Sequence, residues 1–320
     1  MPATPPATQD GTVQWLLDGD PAIRWQTLRD LVGAPEPATD RERRKVAGEG
    51  WGARLLAEQD KDGRWGRGPS SQLSLYVPKW TSTFYTMLLL RDFGLPGQNP
   101  QAKRGCRELL DGGSQSDGGL WYGGSGRSET CVTGMGLSIL SYFQYGDDRL
   151  DAIAGHLIEQ QMPDGGWNCR RPRGATHASV HTTISALEGL RHYELHRGRQ
   201  TRDVQLAKRR GREFLLDHRL FRSHRTGDVI KPVFTRFAFP AHWHYDILRA
   251  LDYFRAVNAP RDERLAEEID IVRSTRGDDG RWSLQQVWQG KTHFQLERRG
   301  QPSRWNTLRA LRVLKWWGQR

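Results

Sequence analysis

The sequence predicts an all-α fold, an (α/α)6 toroid in which six inner helices are ringed by six outer ones. Three observations predict it. An apolar segment with helical spacing recurs six times, a more polar amphipathic segment precedes each copy, and the links between the two repeat a glycine turn ending in tryptophan. A period of roughly 50 to 60 residues means that each unit is a supersecondary element that needs its neighbours to bury a face.

Residues 1–10 are rich in proline and lack the basic start and apolar run of a secretory signal, so they predict a disordered tail. Residues 11–320 then form one domain. The polar set falls at 13–17, 41–58, 101–110, 149–161, 204–218 and 262–273, with apolar residues three and four apart and charges on the opposite face. The apolar set falls at 23–32, 79–90, 129–140, 180–190, 244–254 and 304–314. The apolar copies, packed on all sides, are expected inside.

The links read Gln59-Asp-Lys-Asp-Gly63-Arg-Trp65, Gln115-Ser-Asp-Gly-Gly119-Leu-Trp121, Gln161-Met-Pro-Asp-Gly165-Gly-Trp167 and, without the glutamine, Asp278-Asp-Gly280-Arg-Trp282. Glycine after aspartate suits a turn needing positive φ, and the tryptophan covers a helix end while its indole N–H finds a partner. The fifth link, residues 218–233, lacks the tryptophan and is the degenerate copy.

The net charge of +11 suits an anionic partner. The arginines are dispersed, with no basic arm, so a preference for phosphate fits better than a nucleic-acid reader. Three cysteines, Cys106, Cys131 and Cys169, cannot build a disulfide framework, which predicts thiols in a reducing compartment, by default the cytoplasm. No apolar run approaches the ~20 residues that span a bilayer.

The repeated Gln-x(3–5)-Gly-x-Trp turn resembles the QW repeats of squalene and terpene cyclases and the matching repeats of protein prenyltransferase β subunits, over about residues 12 to 318. The resemblance implies the toroid and leaves the reaction open. The Asp-x-Asp-Asp acid of class II terpene cyclases is missing here, which disfavours that chemistry. The prenyltransferase pattern fits better. Those subunits hold zinc with Asp-x-Cys at the start of one inner helix and His-Thr at the start of a later one. Here Glu129-Thr-Cys131 and His181-Thr182 stand at those places, with glutamate replacing aspartate. The resemblance therefore implies a zinc ion on Glu129, Cys131 and His181. Carboxylate, thiolate and imidazole are all zinc ligands, and three of them leave a fourth position open, as in catalytic sites.

Cys169 and His177 lie in the lead-in of the same repeat, either as a further ligand and an acid/base or as a turn cap and a cavity-facing or exposed side chain. His244, Tyr245 and Asp246 form the other dense cluster and, with His177, are the candidate catalytic residues. Aligned positions put Trp25, Trp80, Trp121, Trp305 and Asn306 around a substrate cavity or, on the plainer reading, in a packed ring centre. Only Arg127 stands where the related subunits bind diphosphate, and nothing shows their helical partner subunit, so protein prenylation does not follow. The expectation is a zinc-dependent transferase, lyase or cyclase acting on an apolar or isoprenoid-like small molecule, phosphorylated or not, by activating a thiol, water or carbonyl. The alternatives are a metal-free cyclase or isomerase that uses the aromatic cavity, and a non-catalytic binding scaffold.

Overall fold

The computed structural model describes residues 9–66, 72–124, 126–198 and 201–318. Among these the chain is all-helical, with isolated β-bridges and no strand. No helix among them is long and apolar enough to cross a membrane. The expected tail lies mostly outside the described residues, and its last two residues already open the first helix, α1 (Gln9–Leu17).

The helices alternate in burial as the pattern requires. The apolar copies become α2 (Pro21–Thr27), α5 (Thr83–Phe93), α7 (Thr130–Tyr142), α9 (Val180–Arg197), α11 (Ile247–Ala256) and α13 (Arg304–Gly318). In α5, α7 and α9 nearly every position of the first three turns is buried. The polar copies include α6 (Pro100–Gly113), α8 (Arg149–Glu159), α10 (Arg202–Asp217) and α12 (Ala266–Ser274), each burying one stripe; in α6 it is Ala102, Gly105, Cys106, Leu109, Leu110 and Gly113. α2 starts on an Asp20 cap that accepts from Ala22 N at 2.9 Å, and it continues as a π-helical turn to Val32. The single helix expected over 41–58 is broken into α3 (Glu36–Arg44) and α4 (Gly50–Ala57). Gly50 takes φ 65° against Asp20, whose Oδ2 would lie 2.0 Å from an added Cβ, so the chain turns there.

The repeated link has a specific job. Trp65, Trp167 and Trp282 donate their indole N–H to the carbonyls of Leu55, Leu157 and Val272 at 2.6, 2.6 and 2.7 Å, closing the end of the preceding polar helix. Their backbone N–H groups reach Thr83, Thr183 and Thr307 Oγ1 on the following apolar helix, each at 3.0 Å. Gln59 and Gln161 donate across to the next outer helix, at Gln101 O and Ala207 O. The second link departs from this. There Leu120 takes the buried place and bonds Thr133, Tyr122 donates to Leu109 O at 3.0 Å, and Trp121 is left half-buried against Tyr76.

The chain's two helical ends meet. Arg312 on α13 donates to Gln26 and Asp30 at 3.0 and 3.1 Å and pairs with Asp252 of α11. The tightest pair is α7 against α9, where Gly134 and Gly189 bring the two backbones together. A Cβ on Gly134 would stand 2.6 Å from Ser185 O, and one on Gly189 would stand 2.4 Å from Gly134 O. Gly189→Ala therefore forces the helices apart and should lower stability by about 1–3 kcal/mol in urea unfolding. Gly155→Ala, on α8 with nothing within 4 Å of the new methyl, should hold or gain up to about 1 kcal/mol. Equal effects would mean that the seam is not a close backbone contact.

Candidate metal centre and aromatic cleft

Three ligand-type side chains converge where α7 begins. Glu129 is the N-cap of α7, with φ −113° and ψ 117°, and its N–H bonds Leu120 O at 3.1 Å, which fixes the entry of the chain. Cys131 follows on the first turn. Cys169 comes from the loop ahead of α9, where its N–H points at Thr182 Oγ1 at 3.4 Å and Asn168 ties the loop to His177 O at 2.7 Å. One ligand atom from each of Glu129, Cys131 and Cys169 lies within 4.8 Å of the others, and all three side chains are half-buried. These residues could hold a metal ion. Tetrahedral ligands at about 2.0–2.3 Å from zinc stand about 3.5 Å apart, so the group needs only a modest inward closure.

The protonation of the group suits a cation. The adjoining Cys131 thiol pulls the Cys169 thiol down to about 7, helped by Thr182, while Cys131, beside Cys169 and buried near Glu129, is pushed well up. Burial raises the Glu129 carboxyl, and Lys79 and Arg173 oppose it. Protons thus crowd a site with three anionic donors, and a metal ion would displace them.

Beside the group lies an aromatic cleft of about 530 Å3 lined by Lys79, Trp80, Trp243, His244 and Trp288. The Lys79 ammonium sits 5.4, 5.8 and 5.6 Å from the rings of Tyr76, Trp80 and Trp243. His244 is sandwiched between Trp243 and Trp288 at 3.8 and 3.5 Å, and His242 stacks on Trp80 at 3.8 Å. His242 holds this stack with φ 52°, a left-handed backbone that costs a non-glycine residue about 1–2 kcal/mol. His181 packs between Phe234 and Trp243 at 5.3 and 5.4 Å and is not among the three converging groups. Burial brings His181 down to about 4 and His244 to about 3, so both are neutral at pH 7. The Nδ1 atoms of both are buried and unpartnered among the described residues. Of the two, His244 lines the cleft, and a neutral imidazole there is suited to hydrogen-bond a substrate.

The other expected residues are scattered. Tyr245 is buried and donates to Leu220 O at 2.7 Å, while Asp246 caps α11 by accepting from Arg249 N at 2.7 Å and Ala238 N at 3.1 Å; both do structural work. Asn306 is buried and donates to Phe237 O and Ser283 O. His177 and Arg127 are exposed. Trp25 and Trp305 line a second cavity together with residues near the C-terminal ends of α5, α7, α9 and α11, and Trp121 borders Tyr76. Tyr76, Lys79, Trp243 and Trp288 carry no motif; only the aromatic density around 242–246 pointed toward them.

No protein-family model and no curated protein matches this chain. Among solved structures, a crystal structure of a protein from Actinoplanes is similar at 16% identity, covering 96% of this chain and 97% of that chain with a TM-score of 0.50. At that identity the likeness concerns the fold alone. In metal-free protein, prepared with a chelator, Cys169 should react with iodoacetamide at a rate rising through about pH 7, while buried Cys106, whose thiol burial pushes far up, stays unlabelled in the folded protein. Mass-spectrometric labelling that instead places the Cys169 inflection at or above that of a free cysteine, about 8.5, contradicts the shared-proton arrangement.

Proposed function

We propose that this chain is a zinc-dependent enzyme on an (α/α)6 toroid, related to the terpene cyclase and prenyltransferase β-subunit folds, that acts on an apolar, isoprenoid-like small molecule. The observation that carries this reading is the convergence of Glu129, Cys131 and Cys169 within 4.8 Å at the start of an inner helix, beside an aromatic cleft. The ligand set departs from the Glu129, Cys131 and His181 that the resemblance implies: Cys169 takes the third place. Two thiolates and a carboxylate suit zinc and leave one position open. A zinc ion there would supply Lewis acidity for a thiol, water or carbonyl.

The chain's own residues divide the remaining work. Trp80, Trp243 and Trp288 offer flat apolar faces to the substrate. Lys79, beside Glu129, adds a positive charge at the edge of the cleft. His244, a neutral imidazole in the lining of the cleft, is placed to hydrogen-bond the substrate. The free state of all three cysteines fits a reducing compartment such as the cytoplasm. The toroid reading is supported by the alternation of buried and striped helices and by the packing of α13 on α2.

Elemental analysis of protein purified without added metal should find about one zinc per chain, and Cys131→Ala and Cys169→Ala should each lose it. Cobalt substitution counts the sulfurs, since the thiolate charge-transfer band should reflect two ligands. His181→Ala should keep its metal. Wild type without zinc, or both cysteine variants retaining it, overturns the metal centre; loss in His181→Ala with retention in Cys169→Ala restores the histidine set. Deleting residues 303–320 should abolish cooperative folding, because Asp30 and Asp252 lose Arg312; a cooperatively melting truncation contradicts a closed ring.

A further inference from the structure

A second cavity, of about 390 Å3, opens at the C-terminal ends of the inner helices, away from Glu129, Cys131 and Cys169 at the start of α7. Its lining holds eight arginines against three carboxylates, Asp92, Glu188 and Asp252. Most of these charges are matched. Arg249 pairs with Glu188 at 2.8 Å, Arg91 with Asp92 at 2.7 Å, and Arg255 and Arg312 share Asp252. Behind the lining, Asp30 answers Arg29 at 2.6 Å and Arg312 at 3.1 Å, and Asp246 stands 3.7 Å from Arg309. Even with those two included, eight guanidinium groups face five carboxylates.

Arg43 and Arg191 have no carboxylate partner among the described residues. Arg43 donates to Gly94 O at 2.9 Å and Tyr142 Oη at 3.0 Å, and Arg191 donates to Ala256 O at 3.2 Å. Each spends a donor on a carbonyl near a helix end, which accounts for its place but not for its remaining N–H groups, since a guanidinium carries five. Burial and the neighbouring Arg255 both act against the charge on Arg191. The floor adds another free donor. Trp305 is 2% exposed, stacks on Phe239 at 4.0 Å, and its indole N–H has no partner among the described residues.

We propose that this cavity binds a small organic polyanion, a molecule with at least two phosphate or carboxylate groups, its charged groups on Arg43 and Arg191. Guanidinium forks match both kinds of oxyanion. The site rests on arginine geometry alone and does not depend on the metal centre. It also gives a place to part of the surplus positive charge of +11.

Isothermal titration of the full chain with inorganic pyrophosphate and with citrate, at matched ionic strength, tests the assignment. At least one probe should bind, with affinity falling as salt rises, and Arg43→Ala and Arg191→Ala should each weaken it about tenfold or more. Arg209→Ala, an exposed change of equal charge, and Cys131→Ala should leave it unchanged. Pyrophosphate alone or citrate alone binding identifies the class of oxyanion. A wild type that binds neither probe and gains no thermal stability from either overturns the proposal, as does binding weakened equally by Arg209→Ala. Should the cavity variants fail to fold, protection of Arg191 in wild type from phenylglyoxal by pyrophosphate or citrate decides the matter, and unchanged labelling overturns it.

Discussion

The close contact between α7 and α9 is the constraint on which the rest depends. Helices ordinarily pack about 8–10 Å apart, their side chains holding the backbones off one another. Here Gly134 and Gly189 remove those side chains, and each leaves its backbone facing the carbonyls of the opposite helix. The approach sets the spacing of the two helix starts. Thr182, in the first turn of α9, then accepts from Cys169 N, and Cys169 reaches Cys131 at the start of α7. A wider seam would carry the loop sulfur away from the helix sulfur.

The two openings of the molecule have opposite chemistry. At the beginnings of the inner helices, burial keeps imidazoles neutral and thiols sharing protons, and aromatic faces dominate. At their ends, guanidinium groups outnumber carboxylates and lie over rings, as Arg29 does over Trp25 at 4.5 Å. The segment from Phe239 to His242 stands between them. Phe239 stacks on Trp305 on one side, and His242 stacks on Trp80 on the other.

The helices were legible because burial is periodic and the period is written in every copy. The break at Gly50 was not, since it answers to Asp20, which lies thirty residues away in sequence. Glu129 and Cys131 were legible as the first turn of an apolar helix. The part played by Cys169 depended on the path of a loop held by Asn168 and Thr182, and no spacing encodes that path. His181 held the expected helix position, yet its ring turned toward Phe234 and Trp243. The arginine cavity was hidden by dispersion. Its members run from Arg29 to Arg312, and only superposing the copies shows that Arg29, Arg91, Arg191, Arg255 and Arg312 share late positions on the inner helices.

The slipped second turn carries a lesson about repetition. Trp65, Trp167 and Trp282 each secure their own helix pair through local hydrogen bonds, so no copy relies on the indole of another. That independence is redundancy. It let one copy hand the covering duty to Leu120 and Tyr122 while its neighbours kept their shape. The copy that did so leads directly into Glu129 and Cys131, and the side chain it released, Trp121, lies on Tyr76 beside them. An array whose turns are secured locally can thus respecialise one member at a time, and here the member with the altered turn is the one that leads into two of the three converging groups, the third, Cys169, following the regular turn at Trp167.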